Sequence, residues 1–339
     1  MKKNKDLPEY LYDYFLQYLP LQLGASENTI KSYRDTFIIF LRYCNDILGI
    51  KSEKLYLSKI NRHIIEEFLL WLESEKNYSA ASRNQRLAAV HAFFRYIQTQ
   101  APEYMSLCSQ VISVRSKKVP QKPVEYLTLE AIKELLATID TTSKKGRRDL
   151  ATIALLYDTG ARVSELTNLT IGNIRFRKPA SITLTGKGNK SRIIPLMPQT
   201  MEILKMYMED YNILCSDDQN FPLFFNKNEK KLSREGIAYI LGKYVEVARV
   251  KSPDLFNLKV TPHVLRHCKA MILVQNNVNI IYIRDFLGHV SVSTTEIYAK
   301  ANPELKRKAI EKASQGILPK NKYTKEETKS MLDWLKTII

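Results

Sequence analysis

Apolar residues recur at three- and four-residue steps along most of the chain, the spacing of helices that bury one face. Ser26 is a capping residue ahead of Ile30, Tyr33, Phe37, Phe40, Leu41 and Cys44, which predicts a helix there. Ser79 or Ser82 opens another, with Leu87, Val90, Phe93, Phe94 and Ile97 on one side. Ile64, Phe68, Leu69 and Leu72 mark a helix between these two, and Tyr10 to Leu19 one before them. Residues 1–112 therefore read as an all-helical domain. Residues 113–124, SVRSKKVPQKPV, hold two prolines and several cations without apolar periodicity, which is a linker signature. Such a segment suits an exposed tether or a strand laid along phosphates.

Thr128 caps a further helix through Ile132, Leu135 and Leu136, and one more runs from about Arg148 to Asp158. Gly160 stands where a left-handed residue would end it. The period then becomes two. Ser181-Ile-Thr-Leu-Thr alternates, Gly186-Lys-Gly-Asn offers turn chemistry, and Ser191-Arg-Ile-Ile-Pro-Leu is extended again, predicting a β-hairpin. From Ser233 onward the pattern is helical. The expected fold is mainly α with a small antiparallel β-sheet: a helical domain followed by a mixed α/β domain over residues 125–318. Pro319 then precedes a tail, 319–339. There Thr324-Lys-Glu-Glu327 is a capping box, and Met331, Trp334, Leu335, Ile338 and Ile339 share one helical face.

At 339 residues, with 45% hydrophobic and 26% charged side chains, the chain has material for about two folded domains. A disordered, collagen-like or disulfide-framework protein is excluded. The net charge of +17 divides into +5 for residues 1–120 and +12 for the remainder. A surplus spread over both halves points to a polyanionic partner such as nucleic acid; a membrane surface or a solubility bias would give the same charge. Cys44, Cys108, Cys215 and Cys268 form no C-x-x-C pair, which fits a reducing compartment. No apolar h-region or long apolar run occurs. The expected location is cytoplasmic and nucleoid-associated, with no membrane partner.

Four stretches carry candidate chemistry: Thr159-Gly-Ala-Arg162-Val-Ser-Glu165-Leu, Gly186-Lys187-Gly-Asn-Lys190, His263-Val-Leu-Arg266-His267, and Leu287-Gly-His289 with Tyr298 nine residues later. A reacting phosphodiester concentrates negative charge in its transition state. It needs fixed donors on the non-bridging oxygens, a nucleophile, and an acid for the leaving oxygen. Arg162 and Arg266 offer planar forks suited to phosphate. Against that, Glu165 lies three residues from Arg162 and could simply pair with it; the favoured role for Glu165 is to orient the arginine. His263 and His267, at i and i+4, share a helix face and could hold a metal. The segment lacks the glutamate of H-E-x-x-H and a third ligand, so no metal is expected.

In this order the stretches resemble the catalytic set of the tyrosine recombinase (phage integrase) family: arginine, hairpin lysine, His-x-x-Arg, Leu-Gly-His, tyrosine. The resemblance covers about residues 125–315, and the helical first half is more loosely similar to the family's core DNA-binding domain. It implies that Tyr298 attacks the scissile phosphate to form a 3′-phosphotyrosyl link, with Arg162, Arg266 and His289 on the non-bridging oxygens. Lys187 would protonate the leaving 5′-oxygen. His263 would exchange a proton with the tyrosine or bond the phosphate, and His267 would be a buried structural histidine. Tyr282 is the competing tyrosine, expected to be packed. Arg83, Arg86, Lys117, Lys118, Lys190 and Arg192 are the expected DNA contacts.

The resemblance further implies a homo-tetramer on two duplexes with inverted-repeat core sites, and neither ATP, cofactor nor metal. The length beyond Tyr298, together with Cys268 where Xer-like proteins commonly carry a small hydroxyl residue, favours a mobile-element integrase or transposase over a Xer-like resolution enzyme. The rival readings are a type IB topoisomerase and a non-catalytic DNA-binding protein. The tail face would dock on its own domain or on a neighbouring subunit.

Overall fold

Helices begin where a side-chain oxygen can satisfy the free N–H groups of a first turn. Ser26 accepts from the Thr29 N–H, Ser79 from Ser82, Thr128 from Ala131, Ser233 from Gly236 and Thr261 from Val264. These contacts come from a computed structural model that describes residues 6–120, 123–214, 216–300, 307 and 331–338. The chain divides into two units, Met1–Lys122 and Pro123–Ile339.

The first unit contains α1 (Leu7–Asp13), α2 (Glu27–Asp46), α3 (Arg62–Ser74), α4 (Ala80–Gln100) and α5 (Met105–Ile112). The helix expected over Tyr10–Leu19 starts earlier, at Leu7, and widens into a π-helix over Tyr14–Gln22. Pro20 lies inside this stretch, and its missing N–H and ring bulk are incompatible with a regular α ladder. Aromatic rings fill the core. Phe93 meets Phe37 and Tyr14 edge-on, at centroid distances of 4.9 and 5.2 Å. Such pairs add about 0.5–1.5 kcal/mol each beyond area burial.

The second unit holds α6 (Leu129–Ala137), α7 (Lys144–Thr159), α8 (Val163–Thr167), the strands β1 (Ile174–Arg175), β2 (Ser181–Thr185) and β3 (Ser191–Pro195), then α9 (Pro198–Asp210), α10 (Arg234–Lys251), α11 (Pro262–Gln275), α12 (Ile280–Leu287) and α13 (Ser293–Lys300). The sheet is antiparallel in the order β1-β2-β3, with Ile182 opposite Ile194 and Leu184 opposite Arg192. The fold is mainly helical with a small antiparallel sheet, as the periodicity indicated. Helices α5, α8 and α9 and the short strand β1 were not foreseen.

Gly160 ends α7 in the left-handed conformation (φ +56°), and Gly288 ends α12 likewise (φ +64°). Ala270, Met271, Ile283, Leu287 and Tyr298 form a small core that packs α11, α12 and α13 together. Cys268 is buried, and its Sγ accepts the Leu127 N–H at 3.0 Å. Burial pushes this thiol up to about 11, so it is a structural group at neutral pH. Within the tail, residues 331–335 are helical, and Met331, Trp334, Leu335 and Ile338 are exposed. Pro319, the Thr324–Glu327 box and Ile339 lie outside the described residues. Among the described residues no helix is long and apolar enough to cross a membrane.

Candidate active site

The end of α7 sets the position of Arg162. Gly160 turns the chain, and a Cβ there would come within 3.0 Å of Leu287 Cδ2. Two residues later Arg162 becomes the N-cap of α8. Its backbone N–H donates to Glu165 Oε2 (2.8 Å), its Nη1 to Glu165 Oε1 (2.8 Å) and its Nη2 to the Gly288 carbonyl (3.2 Å). The side chain keeps 37% of its surface exposed. Glu165 thus pairs with Arg162 and orients it at once.

Arg266 projects from α11 and is 1% exposed. Its Nη1 donates to the Gly160 carbonyl (2.7 Å) and its Nη2 to the Leu287 carbonyl (2.6 Å). One side chain therefore spans the C-termini of α7 and α12. Both partners are neutral carbonyls. Burial, and then the nearby Arg162, push its pKa down to about 10. A guanidinium uncomfortable with its own charge is a strong attractor for an anion.

Tyr298, on α13, is also 1% exposed, and its hydroxyl lies 2.8 Å from His267 Nδ1. Burial raises the phenol above its ordinary value, while Arg266 and Arg162 oppose that rise. His289 follows the left-handed Gly288; its ring lies 6.4 Å from that of Tyr298, centroid to centroid, and its Nδ1 is 2.9 Å from the Thr295 hydroxyl. His263 and His267 stack edge to face at 4.3 Å. Burial, followed by His263 and Arg266 for His267 and by Arg266 and Arg162 for His289, holds both down at about 4, so both rings are neutral at physiological pH. His263 is more exposed, and partial dehydration, followed by Arg266 and Arg162, lowers it too. Among the described residues no group of three or more His, Cys, Asp or Glu could hold a metal ion.

The second unit therefore gathers Arg162, Glu165, His263, Arg266, His267, His289 and Tyr298 from α7 through α13. Lys187 lies in the turn Lys187–Asn189 at the tip of the β2–β3 hairpin, with its side chain outside the described residues. Two expectations change. The partner of the phenol is His267, because the ring one turn further along α11 is the one that α13 covers. Tyr282 is 70% exposed on α12, so it is not a packed residue. Thr295, fully buried against His289, was missed; a hydroxyl six residues on, across the turn between α12 and α13, gives too weak a signal.

The expected DNA contacts divide. Arg192 is largely buried and gives its N–H groups to Glu165 and to the Phe286 carbonyl, so it is not presented to a duplex. Arg83 is buried, with Nη1 on Asn84 Oδ1 and the Arg115 carbonyl. Arg86 donates to the Ser32 carbonyl and Thr36 Oγ1 and lies over Tyr78. Both bind α4 to its own unit, because the Arg115 carbonyl for Arg83, and the Ser32 carbonyl and Thr36 hydroxyl of α2 for Arg86, lie within reach of their forks. Lys117 is exposed and paired with Glu73 at 2.7 Å, and Lys118 and Lys190 are exposed.

Residues 125–304 match the phage integrase family, and residues 12–100 match the N-terminal SAM-like domain of phage integrases. A Sinorhizobium fredii chain named as an integrase/recombinase is 36% identical over 314 residues, 93% of each chain. Tyrosine recombinase XerA of Thermococcus onnurineus is 32% identical over 307 residues, 89% of this chain and 95% of that one. Among solved structures, the XerH recombinase bound to palindromic difH substrate superposes with a TM-score of 0.67 at 22% identity, covering 85% of this chain and 80% of that one. The Tn1549 transposon integrase with transposon right-end DNA gives 0.66 at 18% identity, covering 88% and 97%.

Proposed function

We infer the reaction from one premise: the chain belongs to the phage integrase family and is a tyrosine recombinase, an enzyme of site-specific DNA breaking and joining. The observation that carries its chemistry is a buried phenol, Tyr298, hydrogen-bonded to His267 within a cationic pocket built on Arg266 and Arg162. The phenolic oxygen attacks the scissile phosphorus, the P–O5′ bond breaks, and a 3′-phosphotyrosyl link forms. The phenolic proton passes to the histidine side, where His267 Nδ1 is the adjacent acceptor. Lys187 supplies a proton to the departing 5′-oxygen. Arg162, Arg266 and His289 take the non-bridging oxygens, where fixed donors stabilise charge that grows in the transition state. The freed 5′-hydroxyl of a partner strand reverses the step, so the bond energy is kept in the covalent link.

The substrate is double-stranded DNA with inverted-repeat core sites, recombined by a homo-tetramer on two duplexes inside the cytoplasm. The net charge of +17, shared by both units, supports the polyanionic partner. Integration or excision of a mobile element is the favoured role. The likeness to a chain named as an integrase/recombinase, and Cys268 in place of the small hydroxyl residue common in Xer-like proteins, support it over chromosome resolution. Residues 1–112 act as the core DNA-binding domain, 113–124 as a linker and 125–318 as the catalytic domain. The tail docks in trans, which the exposed Met331, Trp334, Leu335 and Ile338 support. The deciding experiment is a covalent-adduct assay on a nicked core site: Tyr298→Phe should bind the site and yield no adduct.

A further inference from the structure

Arg192 was expected at a phosphate, yet every described N–H of its fork points inward. Nη1 donates to Glu165 Oε1 (3.0 Å), Nη2 to Glu165 Oε2 (2.7 Å) and Nε to the Phe286 carbonyl (2.8 Å). The Glu165 carboxylate is 2% exposed and is shared between Arg192 and Arg162. Burial alone would raise its pKa, but the bonds from Arg192 and Arg162 hold it at about 2, so it stays a carboxylate. Two glycines make room for this bridge. A Cβ on Gly186 would come within 2.8 Å of Glu165 Oε1, and one on Gly288 within 2.8 Å of Arg192 Nη1.

Arg192 sits on β3 opposite Leu184, and Gly186 N–H closes the hairpin onto the Lys190 carbonyl at 2.9 Å. The base of the Lys187 turn therefore rests directly on the Glu165 carboxylate that Arg192 holds. The same fork grips the end of α12, two residues before Gly288, whose carbonyl receives Arg162. One guanidinium joins the hairpin, α8 and the approach to His289, three elements that the sequence leaves far apart.

We propose that Arg192 is a positioning residue for the leaving-group step: through Glu165 and Phe286 it fixes the β2–β3 hairpin so that Lys187 reaches the 5′-oxygen. This inference rests on the reading of Lys187 as the acid. A lysine cannot replace Arg192, because one ammonium cannot bond both carboxylate oxygens and a carbonyl in a single plane.

The test compares single-turnover cleavage of a normal core site with cleavage of one carrying a 5′-bridging phosphorothioate, whose sulfur leaves without a proton. The proteins are wild type, Lys187→Ala, Arg192→Lys and Gly186→Ala. Lys187→Ala should slow the normal substrate by roughly 10²–10⁴-fold and recover on the thio substrate. Arg192→Lys should slow the normal substrate by roughly 100-fold, the scale of an ångström of misplacement, and recover most of that on the thio substrate, with DNA affinity and its salt dependence unchanged. If Arg192→Lys does not fold, Gly186→Ala decides. It leaves Arg192 intact, carries an ordinary backbone (φ −107°), and pushes the hairpin off Glu165, so it should show the same thio recovery. Recovery for Lys187→Ala with equal slowing of the other variants on both substrates overturns the role of Arg192 alone. A loss of affinity with a shallower salt slope for Arg192→Lys makes it a phosphate contact and also overturns it. No recovery for Lys187→Ala overturns the acid assignment, and this inference with it.

Discussion

Tyr298→Phe removes one oxygen from a side chain that is 1% exposed and whose hydroxyl faces His267 Nδ1 at 2.8 Å. Two separate consequences follow from that geometry. The chemical one is absolute: without the oxygen no phosphotyrosyl bond forms, so adduct on a suicide substrate should vanish while affinity for a single core site is kept, since the substitution removes no positive charge from the surface that meets the phosphates. The stability one is graded. The hydrogen bond itself is worth about 0.5–1.5 kcal/mol net, and a buried ring nitrogen left without a partner costs about 1–3 kcal/mol. Losing the dehydrated hydroxyl returns part of this, leaving a destabilisation of about 1–2 kcal/mol. For a unit of 150–250 residues each kcal/mol moves Tm by about 2–4 °C. Calorimetry of Tyr298→Phe, His267→Ala and the double variant should give a coupling of about 1 kcal/mol, because the two side chains are in contact. Additive effects would show that the phenol is not held by His267. Adduct from the Phe variant would remove Tyr298 as nucleophile and turn attention to the exposed Tyr282.

His267 and His289 are held neutral at about 4, against 6.5 when unfolded, so the unfolded chain takes up protons first as pH falls. Stability should be full above pH 6.5 and decline between 6.5 and 4, with His267→Asn and His289→Asn flattening the fall; a Tm independent of pH over that window would refute the assignment. Recombination should survive excess EDTA, since two guanidiniums neutralise the transition state, and loss of activity restored by zinc would revive His263 and His267 as ligands. Truncation after Pro319 should preserve single-site binding in a mobility-shift assay and weaken synapsis and coordinated cleavage; full-rate recombination would show the tail to be dispensable.

Much of the fold was legible because its signals are local. A serine or threonine oxygen reaches an N–H three residues on, so Ser26, Ser79 and Thr128 mark helix starts wherever the rest of the chain goes. Gly160 tolerates a positive φ whatever packs on it, and alternating residues around Gly186-Lys-Gly-Asn make a hairpin by backbone geometry alone. The order of the catalytic stretches was equally readable, because each is a short segment whose residue types answer a chemical need. Less visible were α5 and α9. Helix α5 is eight residues long, and α9 opens on a proline without a side-chain cap, so their stability comes from the surfaces they cover.

The destinations of the long side chains were decided only in three dimensions. Arg192 follows Ser191 in an ordinary strand, and nothing near it in sequence distinguishes a phosphate contact from a bridge to Phe286, 94 residues away. Arg83 and Arg86 read in the sequence as cations free for DNA, yet Asn84 and the Arg115 carbonyl take the fork of one, and the Ser32 carbonyl and Thr36 hydroxyl that of the other. His263 and His267 share one face of α11, and only the docking of α13 selects which of them meets Tyr298. Local structure follows from steric and capping rules that span a few residues. Which cation meets which carboxylate, and which histidine meets the nucleophile, depends on how helices and hairpin pack, because a charged group leaves water only where partners from distant segments are already in place.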